Sequence, residues 1–168
     1  MANNHSNFAI IRVTPTIIAG TTHINDVMFD ATAIPNAVRG GGGCSLLRGV
    51  TITDQDDEEH DMDLVFMEVQ TNLGTAGAAT DISDTNMLAA KITGVLQLDW
   101  STLAVNFANV SSIMSTMEAS KTSAGVQLPQ ILQATAGSES VYFSAIAREE
   151  AAYAATDDLE FAFHIQYL

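Results

Sequence analysis

The chain is poor in cysteine, proline, tryptophan and basic residues. It has one cysteine, Cys44, three prolines and one tryptophan among 168 residues. A single cysteine excludes an internal disulfide, and Cys44 lacks the local sequence of a cysteine nucleophile, so we expect it to be a small buried hydrophobe.

No apolar run approaches the roughly 20 residues that span a bilayer, and residues 1–7 lack the basic and apolar regions of a secretory signal. We therefore expect synthesis in a cytoplasm.

The shortage of basic residues limits the possible partners. Six Lys and Arg stand against 20 Asp and Glu, which gives a net charge of −14. Duplex binding depends on Lys and Arg that displace counterions from phosphates, and anionic membranes attract basic segments. We therefore expect no direct nucleic-acid partner and no membrane partner.

Composition and length indicate one globular domain. Hydrophobic residues make up 47% of the chain and charged residues 15%, which excludes wholesale disorder. A chain of this length buries roughly 70% of its unfolded surface, so it needs neither a metal nor a disulfide to fold. We expect residues 1–39 to form an N-terminal arm with the first strands, as a possible attachment segment, and residues 40–168 to form the body of the same domain.

Alternating apolar and polar residues predict short strands. The clearest segments are Ile92–Trp100 and Leu159–Tyr167, each apolar on one face. Leu47–Thr53 and Met62–Val69 flank the charged segment Asp54–Asp61, which favours a hairpin with an acidic tip. About eight such strands and little helix predict an all-β protein, an antiparallel β-sandwich of the jelly-roll type.

Two segments favour short helices. Asp84 is suited to cap a helical turn over residues 87–89. Val110, Ile113, Met114 and Met117 fit helical spacing, which predicts a second short helix there.

The acidic segment Asp54–Asp61 is the main candidate for a metal site. Ca²⁺ takes six to eight oxygen ligands, but the segment has Glu59 where an EF-hand loop needs glycine and Val65 where it needs a bidentate glutamate. We expect a solvated tip without metal. Calcium binding remains the open alternative, through Asp54, Asp56, Asp57 and Asp61.

No catalytic constellation is evident in the sequence. Gly40–Gly43 leads into a strand rather than a helix, which favours close-packed backbone or a linker over a phosphate-binding loop. The histidines His5, His23, His60 and His164 are scattered, and none pairs with a Cys, His or Glu at metal-ligand spacing. We expect no catalytic residue, no cofactor and no enzyme activity.

From the glycine run onward, the order of features resembles that of the small jelly-roll decoration (cement) proteins on capsids of tailed, often marine, bacteriophages. Residues 1–39 lie outside this resemblance. It is carried by Gly43–Asp54, Leu64–Met67, Asp81–Asp84, Gly94–Trp100, Ser140–Phe143 and Ala155–Leu159.

The resemblance implies a virion structural protein on the outer capsid surface. Such a protein binds the major capsid protein over gaps between capsomers and braces the shell against internal DNA pressure. Two alternatives stay open: another virion component, such as a head fibre, tail or adaptor protein, and a jelly-roll module that binds a ligand.

A surplus of apolar residues predicts self-association. Val65 and Met67 lie opposite the apolar face of their strand, Val95 and Ile146 also point away from their strands' main faces, and Leu168 ends the chain. Large apolar patches mark interaction sites. With the resemblance, this favours a homo-oligomer, a trimer over a dimer. The open alternative is that the N-terminal segment and residues 101–124 cover these side chains.

Overall fold

The computed structural model describes residues 7–107, 109–116 and 129–168. Strands dominate these ranges, and two short helices accompany them, so the prediction of an all-β fold is confirmed. The elements are β1 Phe8–Val13, β2 Gly20–Thr22, β3 Val27–Ile34, β4 Cys44–Asp54, β5 Met62–Met67, α1 Asp84–Ala90, β6 Ile92–Leu98, α2 Trp100–Leu103, β7 Ala104–Asn106, β8 Ser111–Thr116, β9 Gln130–Gln133, β10 Val141–Ala147, β11 Ala151–Tyr153 and β12 Leu159–Tyr167.

Twelve strands lie in the described ranges, where the sequence predicted about eight. Strands β2, β7 and β11 have only three residues each, and β8 and β9 both pair with β4 on the side away from β12. A count of apolar alternations misses strands this short, because three residues hold barely one period.

The strands form two main antiparallel sheets. One has the order β1-β12-β4-β8-β7, with β9 also beside β4, and the other has the order β3-β10-β5-β6. When β8 and β9 count as one position and the short β2, β7 and β11 are set aside, the eight main strands have the order 1-8-3-6 in one sheet and 2-7-4-5 in the other. That is a jelly-roll topology. The short strands β11 and β2 form a separate pair.

Aromatic side chains fill the space between the two sheets. Phe29 and Phe143 come from the four-stranded sheet, Phe161 and Phe163 come from β12, and all are fully buried. The Phe143 ring lies 5.2 Å from the Phe29 ring, 5.2 Å from Phe161 and 4.8 Å from Phe163, centroid to centroid. The edge-to-face geometry of these contacts is the favourable one for aromatic pairs.

The predicted hairpin around the acidic segment is wrong. Strand β4 lies in the six-stranded sheet and β5 in the four-stranded sheet, so the residues between them cross from one sheet to the other. Both flanking strands have partners elsewhere: β4 pairs with β12, and β5 pairs with β10 and β6. Local sequence cannot reveal these distant partners.

One helix prediction is confirmed and the other is wrong. Helix α1 includes the predicted helical turn at residues 87–89. Its N-cap is Ser83 rather than the predicted Asp84, and Ser83 Oγ accepts a hydrogen bond from Asn86 N at 3.3 Å. Ser111–Thr116 is a strand instead of a helix, because it completes a ladder along β4. Pairing with a formed sheet overrides the weak helical spacing. Met117 lies outside the described residues.

Residues 73–90 cover much of the outward side of the four-stranded sheet. Val65 and Met67 are buried there against Leu73 and Ala90, in a second apolar cluster beneath this covering segment. The apolar side chains of Val65 and Met67 are therefore covered within the chain. The covering segment is residues 73–90, whereas the sequence suggested the N-terminal segment and residues 101–124. Residues 117–124 of the suggested cover lie outside the described residues.

The glycine run is close-packed backbone. A Cβ on Gly41 would lie 2.8 Å from Gly137 Cα, and one on Gly43 would press against the carbonyl oxygen of Arg39. Cys44, directly after the run, is exposed rather than buried, because its side chain points out of the sheet next to the buried Ser45.

We expect Gly43→Ala to destabilise the fold by about 1–3 kcal/mol, since the added methyl overpacks fixed backbone. Gly40→Ala is the control, because its Cβ would meet open space and only its left-handed backbone, φ 75°, opposes the change. Urea unfolding of both variants measures the difference. A smaller loss for Gly43→Ala than for Gly40→Ala would contradict the close packing.

Candidate interaction surface

The acidic segment folds around a buried carboxylate. Asp54 ends β4 and is fully buried. Its Oδ1 accepts a hydrogen bond from Asp56 N at 3.0 Å, and its Oδ2 accepts one from Glu59 N at 3.0 Å. These bonds set the path of the chain between the two sheets.

The neighbouring carboxylates point to other segments. Asp56 Oδ2 accepts from Ala154 N at 2.8 Å, and Asp61 Oδ1 accepts from Trp100 N at 2.7 Å. The Asp57 carboxylate contacts Asn106 Nδ2 at 3.3 Å. Each of the four possible calcium ligands, Asp54, Asp56, Asp57 and Asp61, thus has a different protein donor. Within the described ranges, no group of three or more His, Cys, Asp or Glu side chains is placed to hold a metal ion.

The histidines make separate contacts. His23 Nδ1 lies 3.0 Å from Glu150 Oε2, and the buried His60 donates from Nε2 to the carbonyl oxygen of Glu149 at 2.6 Å. His164 Nε2 lies 3.0 Å from Thr51 Oγ1 on the sheet surface. His5 lies outside the described residues.

Three carboxyl groups near this crossing have raised pKa values. Burial raises the pKa of Asp54 despite the backbone N–H groups that oppose the shift, and burial likewise raises the pKa of Asp61 and Asp63. Arg148 Nε, 3.3 Å from Asp63 Oδ2, counteracts part of the shift at Asp63. Burial also raises the pKa of Tyr153, and the surrounding carboxylates add to that effect, so this hydroxyl stays neutral.

We expect the raised pKa values of Asp54, Asp61 and Asp63 to make the protein more stable as the pH falls from 7 toward 3.8, the ordinary pKa of an aspartate. A folded-state pKa above the unfolded value means that the folded chain binds more protons between the two values, so the free energy of unfolding falls as the pH rises through that window. Thermal unfolding at a series of pH values from 7 to about 4 tests this. Asp63→Asn should flatten the dependence and the exposed Asp157→Asn should not. A midpoint that falls throughout this range as the pH is lowered would refute the account.

An open groove of about 700 Å³ lies beside the segment after β1. Its walls are small hydroxyl and apolar side chains, and Asp30 is the only ionisable residue among them. A single carboxylate without an adjacent base or cation does not form a nucleophile–base pair. The lining is Thr14, Pro15, Thr16, Ile17, Ile18, Ala19, Asp30, Thr32, Ala76 and Thr156.

The solvent-facing side of the six-stranded sheet over β1, β12, β4 and β9 carries three of the most exposed large hydrophobic side chains that the structure describes in strands, Phe8, Ile10 and Ile131. We call this side the outer face. A row of paired residues crosses it from Phe8 through Gln166 and Leu46 to Ile131. Phe8 is 61% exposed, Ile10 59% and Ile131 58%. Its described side chains are Phe8, Ile10, Arg12, Cys44, Leu46, Arg48, Thr51, Thr53, Ile131, Gln133, Glu160, Ala162, His164 and Gln166.

The charge of the outer face differs from that of the rest of the chain. Glu160 is the only carboxylate among the described side chains of the face, and it is paired with Arg12. Arg48 adds a second cation at the bulge opposite His164 and Ile165. In a chain of net charge −14, this face therefore combines exposed apolar and uncharged polar side chains with a slightly basic charge. Interface cores have the same character, since they are depleted in Asp, Glu and Lys.

Sequence reasoning missed this surface. The sequence predicted that Val65, Met67, Val95 and Leu168 would be exposed apolar side chains. Val65 and Met67 are buried, whereas Val95 is 44% exposed and Leu168 is 70% exposed. The sequence signal for the outer face was Phe8–Val13. This edge strand carries apolar residues on both of its faces, where an ordinary edge strand would be polar on the solvent side.

No protein-family model matches the chain, and no curated protein is significantly similar to it. Neither helix of the described ranges is long and apolar enough to cross a membrane.

Proposed function

We propose that the chain is a non-enzymatic virion protein that decorates and stabilises the capsid of a tailed phage by binding the major capsid protein through its outer face. The observation that carries the proposal is the outer face itself, with three large hydrophobic side chains more than half exposed and one ion-paired carboxylate. The sequence resemblance supplies the class of partner.

Charge supports this orientation. The carboxylates of the acidic segment and of residues 149–158 lie at the crossing between the sheets, beyond the end of β4 and the start of β12 rather than among the side chains of the outer face. A protein that docks through a weakly basic surface keeps most of its repulsive charge outside the contact. The remaining acidic surface, directed to solvent, favours solubility of a crowded particle.

The open groove supports a ligand-binding module less well. Ligand sites combine an apolar enclosure with several convergent polar groups, whereas Asp30 is the only charged side chain among the described residues that line this groove. A head fibre, tail or adaptor protein stays as an alternative. Such a protein would differ from a decoration protein in its copy number per particle and in the virion protein that it binds.

Co-sedimentation tests the proposal. Purified chain is mixed with heads that lack it, prepared from a phage deleted for its gene, and the pelleted amount is measured against concentration. Saturable binding in proportion to the major capsid protein is expected. Binding only to tails, or no binding to heads, would refute the proposal.

A further inference from the structure

Strand β1 forms an edge of the six-stranded sheet. It pairs with β12 on one side through Phe8–Val13. The backbone oxygen of Asn7 accepts from Tyr167 N at 2.8 Å, so the odd-numbered residues of this strand direct their N–H and C=O groups toward β12. In an antiparallel ladder the direction alternates. The backbone groups of Ile10 and Arg12 therefore face away from the sheet.

The other edges are protected. Along β3, the Asn72 side chain accepts from Ala31 N and the Gln70 side chain donates to Ala31 O, both at 2.9 Å. At β6, Gln130 Nε2 donates to Val95 O at 2.8 Å. Strands β7 and β9, at the other side of the six-stranded sheet, have only three and four residues. Natural sheets avoid edge pairing by such means.

At Ile10 and Arg12, strand β1 has no comparable protection among the described residues. It contains no proline, and its one charged residue, Arg12, is already paired with Glu160. No described residue bonds to the outward backbone groups of Ile10 or Arg12.

We infer that β1 is a self-association edge, at which two copies of the chain pair antiparallel across a two-fold axis at Ile11. In this register Ile10 lies opposite Arg12 of the second copy, and each such pair exchanges two backbone hydrogen bonds. Ile11 then meets its own copy in a close, non-hydrogen-bonded pair. Ala9 lies opposite Val13 of the second copy. The apolar side chains on the core-facing side of β1 therefore continue from one copy to the other.

A second copy suits this edge because the sequence is self-complementary. Residues 8–13 carry no carboxylate, so two chains of net charge −14 meet where neither presents negative charge on the pairing strand. Ile11 and Val13 already pack against the core while half-buried, and pairing covers the sides of them that remain exposed. An isologous contact of this kind closes as a dimer.

The contact does not depend on the proposed capsid function, since it is measured on the isolated chain. The resemblance implies a trimer, whereas edge pairing gives a dimer. Sedimentation equilibrium of the full chain at micromolar concentration should give a mass near twice 17.8 kDa.

Ile10→Pro should weaken dimerisation at least tenfold. Proline removes an N–H that faces away from β12, so it blocks the partner strand while it leaves the pairing with β12 intact. Ile10→Lys places a cation beside Arg12 of the second copy and should have the same effect. Ile10→Val keeps the amide and apolar side chain and should remain a dimer.

Circular dichroism and the thermal midpoint verify that each variant is folded. In addition, the amides of Ile10 and Arg12 should exchange slowly at high concentration and rapidly on dilution. A monomeric or trimeric wild type, or a folded Ile10→Pro variant that dimerises like the wild type, would overturn the inference.

Discussion

Phe143→Ala should destabilise the protein by about 3–5 kcal/mol, which lowers the thermal midpoint by roughly 6–20 °C. Phe143 is fully buried and contacts three other phenylalanine rings between the two sheets. Its truncation leaves a cavity at the point where the sheets meet, and the residues around it belong to both sheets.

The matched control is Phe107→Ala. Phe107 is 64% exposed, so the same truncation should change the free energy of unfolding by less than about 0.5 kcal/mol. Chemical denaturation of both variants gives the comparison. Equal losses would mean that Phe143 does not lie at the centre of the core.

Ile131→Glu should weaken binding to phage heads on the order of 100-fold, because it buries a carboxylate in an apolar contact. Ile131 lies at the β9 end of the outer face and is 58% exposed, so the fold should tolerate the change. Binding isotherms from sedimentation with heads provide the measurement.

Ile24→Glu is the control for this substitution. Ile24 is 61% exposed, in the turn between β2 and β3 and away from the outer face. It receives the same new charge at similar exposure. Head binding by Ile131→Glu at the strength of Ile24→Glu would exclude the outer face as the docking surface.

Sequence alone predicted the fold class because its signal is local. Leu159–Tyr167 has a large apolar residue at every second position, with the small Ala162 as the one apolar residue between them, and β12 has those same bounds. Four of these large side chains, Leu159, Phe161, Phe163 and Ile165, are buried in the core, and Tyr167 is partly buried against it. Helix α1 was predicted on similar grounds, from a cap and a short apolar stretch.

Sequence could not predict what depends on distant partners. The acidic segment looked like a solvated hairpin tip, yet Asp54 is buried and Asp61 bonds to Trp100, because the chain crosses between sheets there. Likewise, Ile131 and Phe8 are far apart in the chain, and only the register of β1, β12, β4 and β9 places them in one row. The outer face therefore became visible only with the sheet.

The copy number of the chain in purified virions tests the central claim most directly. Quantitative mass spectrometry against the major capsid protein should find the chain in the same order of abundance, as expected for a protein that covers the shell. Absence from the particle would contradict the proposal, and so would a few copies per particle, which indicate a tail, fibre or adaptor component instead.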